Sequence, residues 1–391
     1  MTGPGLAALP EGGRVDFTRL RTDRRRRLLA AMAHAGLDVL ALGRPANIAF
    51  ATGARQLWTA GSRPFSPACL VVAADERIHL LATWDEGVPD DIPREQLFGL
   101  SWNPGIATAH VAAVPGLAGA RRVGADGTSP SWRRLLAEVA PDAEVVDAGP
   151  LLAGLRAVKS ADEVAAIETA CALAEGALEA MAGALAPGVT TRQLLAVHAE
   201  RLGRLGAPIV PNESVAQATT HGHRSVVDDV PLQHGDLVAL SPSASYAGHE
   251  GTLARTVPVG GALTPAQADL GAACRSALDA AVGACRAGAT GAALLEAWES
   301  AGGGPMPGPL VVGVGLGAEQ PIVGMGVGAD AELRPGMALA VQGWVERDGV
   351  GGWLERDVVV VTDGVPRTLT RWPSGDLTPA SGLGSGHGAS S

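Results

Sequence analysis

Apolar and polar positions change their rhythm part-way along this chain. Between residues 21 and 155, short apolar runs such as LDVLALG, ACLVVAA and RIHLLATW alternate with polar or helical stretches. Runs of that length predict buried strands, while SPSWRRLLAEVA predicts a helix with Ser129 as N-cap and Pro130 in its first turn. The alternation gives a small α/β domain ending near Leu155. Residues 1–20 ahead of it read as a flexible lead. The run Arg24–Arg27 follows Asp23 as an expected helix cap, with Leu28, Leu29 and Met32 at helical spacing and Gly36 as the stop. Its arginines are expected on a solvated helix face.

A second rhythm starts at Lys159. Ser160 and Glu163 form a capping box, and Val164, Ile167, Cys171, Leu178 and Met181 recur at three- and four-residue steps, as one helix face requires. Thr190 with Gln193 opens a further helix, and Thr264, Pro265 and Gln267 open another. Between and after these helices lie β-rich stretches: GDLVALS, GTLARTV, MALAVQGWV and RDVVVVTDG. Helices on one face of an antiparallel sheet make residues 156–371 an α+β domain. Residues 372–391 are rich in Ser and Gly and read as a flexible tail.

Composition narrows the function classes. A length of 391 residues suits two domains. With aromatics at 3%, Ala, Val and Leu must fill the cores. A formal charge of −10 argues against a nucleic-acid partner, which needs a basic face to displace counterions from phosphates. No window of about 18 uninterrupted apolar residues appears, so no membrane-spanning helix is expected. Without a secretory leader the expected location is cytoplasmic. Cys69, Cys171, Cys274 and Cys285 form no CxxC pair and read as small apolar residues. The glycines of VGVGLG read as a tight loop rather than a phosphate cradle, so no nucleotide cofactor is expected.

Four stretches carry a family resemblance. LRAVKSADEVAAIETA resembles L-R-x-x-K-S-x-x-E-[IV], and HGDLVALSPSASYAGHEGTLARTV resembles paired strands with G-D-x-V-x-I-D and D-x-T-R-T. VVGVGLGAEQPIV resembles H-G-I-G-L-x-x-H-E-x-P. LRPGMALAVQGWV and GGWLERDVVVVTDG resemble L-x-P-G-M-x-x-x-x-E-P and R-x-E-D-x-x-x-V-T. Their order and spacing resemble the superfamily of creatinase, aminopeptidase P and prolidase. The resemblance implies an α+β pita-bread domain behind a smaller creatinase-type α/β domain, and a homodimer.

It also implies a site whose metal ligands have been replaced. The family's first bridging Asp falls at Ser241, and the second, eleven residues on, at Thr252. The loop His falls at Val312, the first metal Glu at Gln342, and the last Glu is read as retained in Glu355; the second loop His falls at Glu319. Two divalent cations bring four positive charges, and one carboxylate among hydroxyls and an amide does not hold them. No metal is expected.

Within the superfamily creatinase works without metal, and the strand pair and the Trp372-Pro373 ending resemble it. That implies a loop histidine as proton carrier: His223, with His221 as rival, an imidazole being able to accept and return a proton near neutrality. Ser241, Thr252, Gln342 and Glu355 would position the ligand. Arg63, by resemblance, would reach the site of a neighbouring subunit. A buried Glu355 needs a partner, for which Arg255 and Arg356 are the candidates. Trp58, Trp344 and Trp353 line a pocket or pack the core. The expected ligand is a small amide- or carboxylate-containing, peptide-like molecule. Two functions follow, a metal-free hydrolase or lyase and an inactive ligand-binding relative. A working metallo-aminopeptidase ranks third.

Overall fold

The computed structural model describes residues 15–54, 69–81, 87–98, 104–207, 215–219 and 231–372. Helix α1 (Phe17–Ala35) begins within the stretch read as a lead. Its N-cap is Asp16, whose side chain accepts from Arg19 N, and Gly36 ends it with φ 62. Asp23 is therefore no cap; it pairs with Arg26 and Arg27 inside the helix. Nor do the arginines share a solvated face. Arg26 is exposed, but Arg24 is only 2% exposed and lies against the second domain. The burial is driven by partners that local periodicity does not register.

Strands β1 (Val39–Leu42), β2 (Cys69–Val72), β3 (Arg77–Leu81), β4 (Leu97–Phe98), β5 (Arg122–Asp126) and β6 (Glu144–Asp147) form one sheet in the order β4-β3-β2-β1-β5-β6. β1, β5 and β6 run parallel, and β2 is antiparallel to β1 and to β3. The alternation of β1 divides the core. Leu40 and Leu42 pack with residues of α1, α2 (Pro45–Thr52) and α5 (Gly149–Ala157), while Val39 and Ala41 pack with α3 (Pro104–Ala112) and α4 (Pro130–Val139). The caps expected at Ser129 and Pro130 are present.

The second domain opens with α6 (Ala161–Gly183) and α7 (Thr191–Arg204), each started by its capping box. Strands β7 (Val215–Ala218), β8 (Leu237–Ser241), β9 (Ser243–Tyr246), β10 (His249–Thr252) and β11 (Arg255–Pro258) follow. Next come α8 (Pro265–Ala284), which starts at the box of Thr264 and Gln267, and α9 (Gly291–Ser300). The chain closes with β12 (Val311–Gly315), β13 (Gly317–Val323), β14 (Ala338–Arg347), β15 (Gly351–Val360) and β16 (Arg367–Thr368). All the pairings here are antiparallel, in sheets β10-β9, β11-β8-β7 and β13-β12-β14-β15-β16. Helix α6 packs on β9 and β10, and α8 packs on β14 and β15. The contact of β10 with α6 needs a glycine, because a Cβ on Gly251 would collide with the backbone of Ala170 and Cys171. The helices thus cover the outside of the sheets, and a cavity opens on their inner face. All four cysteines are buried and free.

Candidate active site

The cavity is built on the register of β14 and β15. Gln342 stands opposite Arg356 in that pair, so the two side chains leave the sheet on the same face. Arg356 Nε and Nη2 donate to Gln342 Oε1 at 3.1 and 2.7 Å. Its Nη1 donates to Ser241 Oγ at the end of β8 and to Thr252 Oγ1 at the end of β10, both at 3.0 Å. Gln342 Nε2 donates to Pro309 O at 2.8 Å, which fixes the amide with its oxygen toward the guanidinium. One arginine therefore draws together Ser241, Thr252 and Gln342, three of the residues that the sequence placed at the site. Thr252, Gln342 and Arg356 line a cavity of ≈ 390 Å³, and Ser241 is not part of its lining. Ser243 and Glu250 add to its polar wall, and Val312, Val314 and Ala340 form part of an apolar one.

Glu355 is not in this cavity. Successive strand residues point to opposite faces, so Glu355 faces α8 while Arg356 faces inward. Glu355 Oε1 accepts from Trp353 Nε1 at 3.2 Å, and Oε2 from Arg275 Nη1 at 3.1 Å. Arg275, rather than Arg255 or Arg356, is its hydrogen-bonding cation. Burial raises the Glu355 carboxyl above its ordinary range against the pull of Arg255. Arg275 also reaches Asp357, whose other oxygen accepts from Arg255 at 2.7 Å. Burial alone would raise Asp357 as well, but these two guanidinium groups hold it below the usual carboxylate range.

Glu319 stands where the motif resemblance puts the family's second loop His. It does not line the cavity; Ala318 does. Glu319 is buried, with Lys159 Nζ at 2.7 Å, Arg156 Nε at 3.1 Å and Leu316 N donating to it at 2.9 Å. It thereby pins the turn from Gly315 to Ala318 to the start of α6. Trp344 and Trp353 are core residues, each 3% exposed. Trp344 packs with Ala239, Ala254 and Leu354, and Trp353 with Leu237, Leu270 and Cys274. His221, His223, Arg63 and Trp58 lie outside the described residues.

Comparison with known proteins assigns this architecture. The profile of "Metallopeptidase family M24" matches residues 165–363, and that of "Creatinase/Prolidase N-terminal domain" matches residues 24–158. The chain belongs to metallopeptidase family M24. Among curated proteins it is similar to the "Uncharacterized peptidase YqhT" of Bacillus subtilis (strain 168), 29% identical over 248 residues, 60% of this chain and 68% of that protein. Among solved structures it resembles the prolidase from Pyrococcus horikoshii OT3, with a TM-score of 0.74 and 20% identity over 90% of this chain and 99% of that one. The dipeptidase PepE from Mycobacterium ulcerans gives a TM-score of 0.72 and 24% identity over 92% and 98%. These structural likenesses establish the pita-bread fold.

On the motif resemblance, the family's metal positions can be set against the residues of this chain. Counting back along R-x-E-D-x-x-x-V-T from Thr362 puts the motif's Glu at Arg356 and its Asp at Asp357. The five positions then read Ser241, Thr252, Val312, Gln342 and Arg356. Hydroxyls, an amide oxygen already engaged by a guanidinium, a valine and a permanent cation do not suit a pair of divalent ions. Among the described residues no group of three or more His, Cys, Asp and Glu side chains could hold a metal. Sequence reasoning missed Arg356 and Glu250 as cavity residues. The motif count carried the signal for Arg356; for Glu250 the signal was its place two residues before Thr252 on one strand. No helix among the described residues is long and apolar enough to cross a membrane.

Proposed function

We propose that this M24 protein works without metal and uses its cavity to bind a small carboxylate- or amide-bearing, peptide-like ligand. The observation that carries the reading is the Arg356 guanidinium, hydrogen-bonded to Ser241, Thr252 and Gln342 where the family places carboxylate ligands. A resident cation repels divalent ions and attracts anions, and a guanidinium matches a carboxylate in geometry as well as charge. The same wall offers neutral donors and acceptors for an amide.

Two forms of this reading differ in chemistry. In one the cavity binds and releases its ligand unchanged. In the other His223 transfers protons in a metal-free hydrolysis; Glu250 in the cavity wall favours this form by supplying an acidic group beside the polar set. In both, the family resemblance supports a homodimer, with Arg63 of a neighbouring subunit near the ligand, and a cytoplasmic location. The peptidase name of YqhT supports a peptide-like ligand.

Elemental analysis decides the premise. Protein purified without added metal, then incubated with manganese, cobalt or zinc and desalted, is expected to retain far less than one ion per chain and to leave Xaa-Pro dipeptides intact. Stoichiometric metal together with dipeptide hydrolysis would overturn the reading. His223→Ala then separates the two forms, since only the hydrolase form loses turnover while keeping the ligand.

A further inference from the structure

We propose that Glu319 is a positioning residue for the cavity, through which the first domain sets where the wall at Gly317 and Ala318 stands. Val314, Gly317 and Ala318, around the turn from β12 to β13, line the cavity. Leu316, between them, turns away from it. Its side chain is buried in the apolar cluster of Leu42, Ile48, Phe50 and Leu152, which belongs to the first domain. Glu319 Oε1 accepts from Leu316 N at 2.9 Å. The carboxylate lies so close over Gly315 that a Cβ there would stand 2.6 Å from both its oxygens. One short turn thus carries cavity wall on one side and the seam between the domains on the other.

The carboxylate is gripped from the first-domain side. Arg156 Nε, near the end of α5, stands 3.1 Å from Oε1, and Lys159 Nζ stands 2.7 Å from Oε2. Arg156 also donates through Nη1 to Asn47 Oδ1 on α2. Asn47 Nδ2 in turn donates to Asp126 Oδ2, at the carboxyl end of β5, at 2.8 Å. A line of hydrogen bonds therefore runs Asp126–Asn47–Arg156–Glu319, from a first-domain strand to the cavity turn. Asn47, Asp126 and Glu319 are all buried. Water does not replace a lost partner there, so each link holds its neighbours to one arrangement. The planar fork of Arg156 serves Asn47 and Glu319 with different nitrogens, which ties both to a single guanidinium plane. Such a line couples its ends only if a change at one is read at the other. The inference goes beyond the ligand reading above and holds for any occupant, because it concerns where the wall's backbone stands.

The test is thiol alkylation inside the cavity. Ala340 lines it from β14, opposite Val312 and outside the turn, and the four native cysteines are buried. Full-length protein carrying Ala340→Cys is alkylated with iodoacetamide, and the rate is followed by mass spectrometry. The measurement is repeated with Glu319→Gln, Asn47→Ala or Arg156→Lys added. Glu319→Gln and Asn47→Ala are each expected to raise the rate about tenfold, the scale of one charge-assisted hydrogen bond. Arg156→Lys, which keeps the charge and loses the fork, should raise it as well. Leu136→Ala truncates the core on the opposite face of the first-domain sheet. It should lower the urea midpoint while leaving the rate within about twofold. Asn47 touches neither the cavity nor Glu319, so its effect separates positioning from a purely structural role. Equal rates for Asn47→Ala and Leu136→Ala would overturn the proposal. So would alkylation of Ala340→Cys alone as fast as that of a thiol in the urea-unfolded chain. Where Glu319→Gln fails to fold, Asn47→Ala and Arg156→Lys decide the outcome. None of these results bears on metal retention, so the metal-free reading stands or falls separately.

Discussion

Gln342 and Arg356 face each other across β14 and β15, and the amide oxygen of one accepts two N–H groups of the other, at 3.1 and 2.7 Å. The geometry makes Arg356 the hub of the cavity. Arg356→Met should leave Gln342 Oε1, Ser241 and Thr252 without their shared donor and lower stability by about 1–3 kcal/mol in urea denaturation. Arg356→Lys should recover only part of this, since an ammonium cannot reproduce the planar fork that serves β8, β10 and β14 together.

Rebuilding the family's ligands tests the same hub from the opposite side. The chain carrying S241D, T252D, V312H, Q342E and R356E should gain a rise in melting temperature on adding manganese, because an ion that binds only the folded state stabilises it by mass action. The unmodified chain should show no such rise. The same set with Arg356 left in place should gain little, because the guanidinium then pairs with the new carboxylates and repels the ion.

Arg24 and Arg26 separate buried from solvated charge within one short run. Arg24 is nearly inaccessible, with Glu163 Oε1 at 2.8 Å from its Nε and His249 Nε2 at 2.7 Å from its Nη2. Arg24→Met strips Glu163 of that partner in the interior and should cost roughly 3–5 kcal/mol. Arg26→Ala should stay within about 0.5 kcal/mol, as exposed substitutions do. Equal effects in chemical denaturation would contradict the packing of α1 against α6 and β10.

Acid should destabilise the fold in two stages. Burial, reinforced by Arg24, pushes the His249 imidazole down to about 3, so the folded chain keeps it neutral while an unfolded one protonates it below about 6.5. Stability should therefore fall as pH drops from 6.5 toward 3. His79 and His198 are shifted the same way by burial and add to this first stage. Burial opposes ionisation of Glu163, but Arg24 and Arg27 outweigh it and hold the carboxyl at about 2. Its contribution is present above its unfolded value and is lost as pH falls from about 4.5 through 2. Urea titrations at stepped pH should show His249→Asn flattening the first stage and leaving the second.

Lys159 and Glu319 give a fifth measurement. Glu319→Gln removes the anion shared by Lys159 and Arg156 and loosens the turn held through Leu316 N, so a loss of roughly 3–5 kcal/mol is expected. Lys159→Met should cost less, because Arg156 still pairs with Glu319. The gap between the two variants in urea midpoints checks the assignment.

How much of this was legible in advance depended on range. The boxes at Ser160, Thr190 and Thr264, the stop at Gly36 and the burial of Ile167, Cys171, Leu178 and Met181 rest on neighbours three or four residues away, and the structure has them all. The start of α1 was misread because Asp23 has the chemistry of a cap but lies inside a helix already begun at Asp16. Arg24 was misread because its partners are 139 and 225 residues away. Glu355 was misread by one residue, which on a strand is the difference between its two faces.

By itself the chain determined its family and its two-part architecture, because side-chain identity at fixed spacing is a one-dimensional property; the same spacing is what led the motif resemblance to set Ser241, Thr252, Val312 and Gln342 against the family's ligand positions. The motif count could place Arg356 in the gap, but only the tertiary structure decided what its guanidinium meets there. The registry of β14 with β15 and the meeting of three strand ends aim Arg356 into the cavity and turn Glu355 away. Pairing between distant strands, and hence the face each residue presents, is set by contacts that no local pattern encodes.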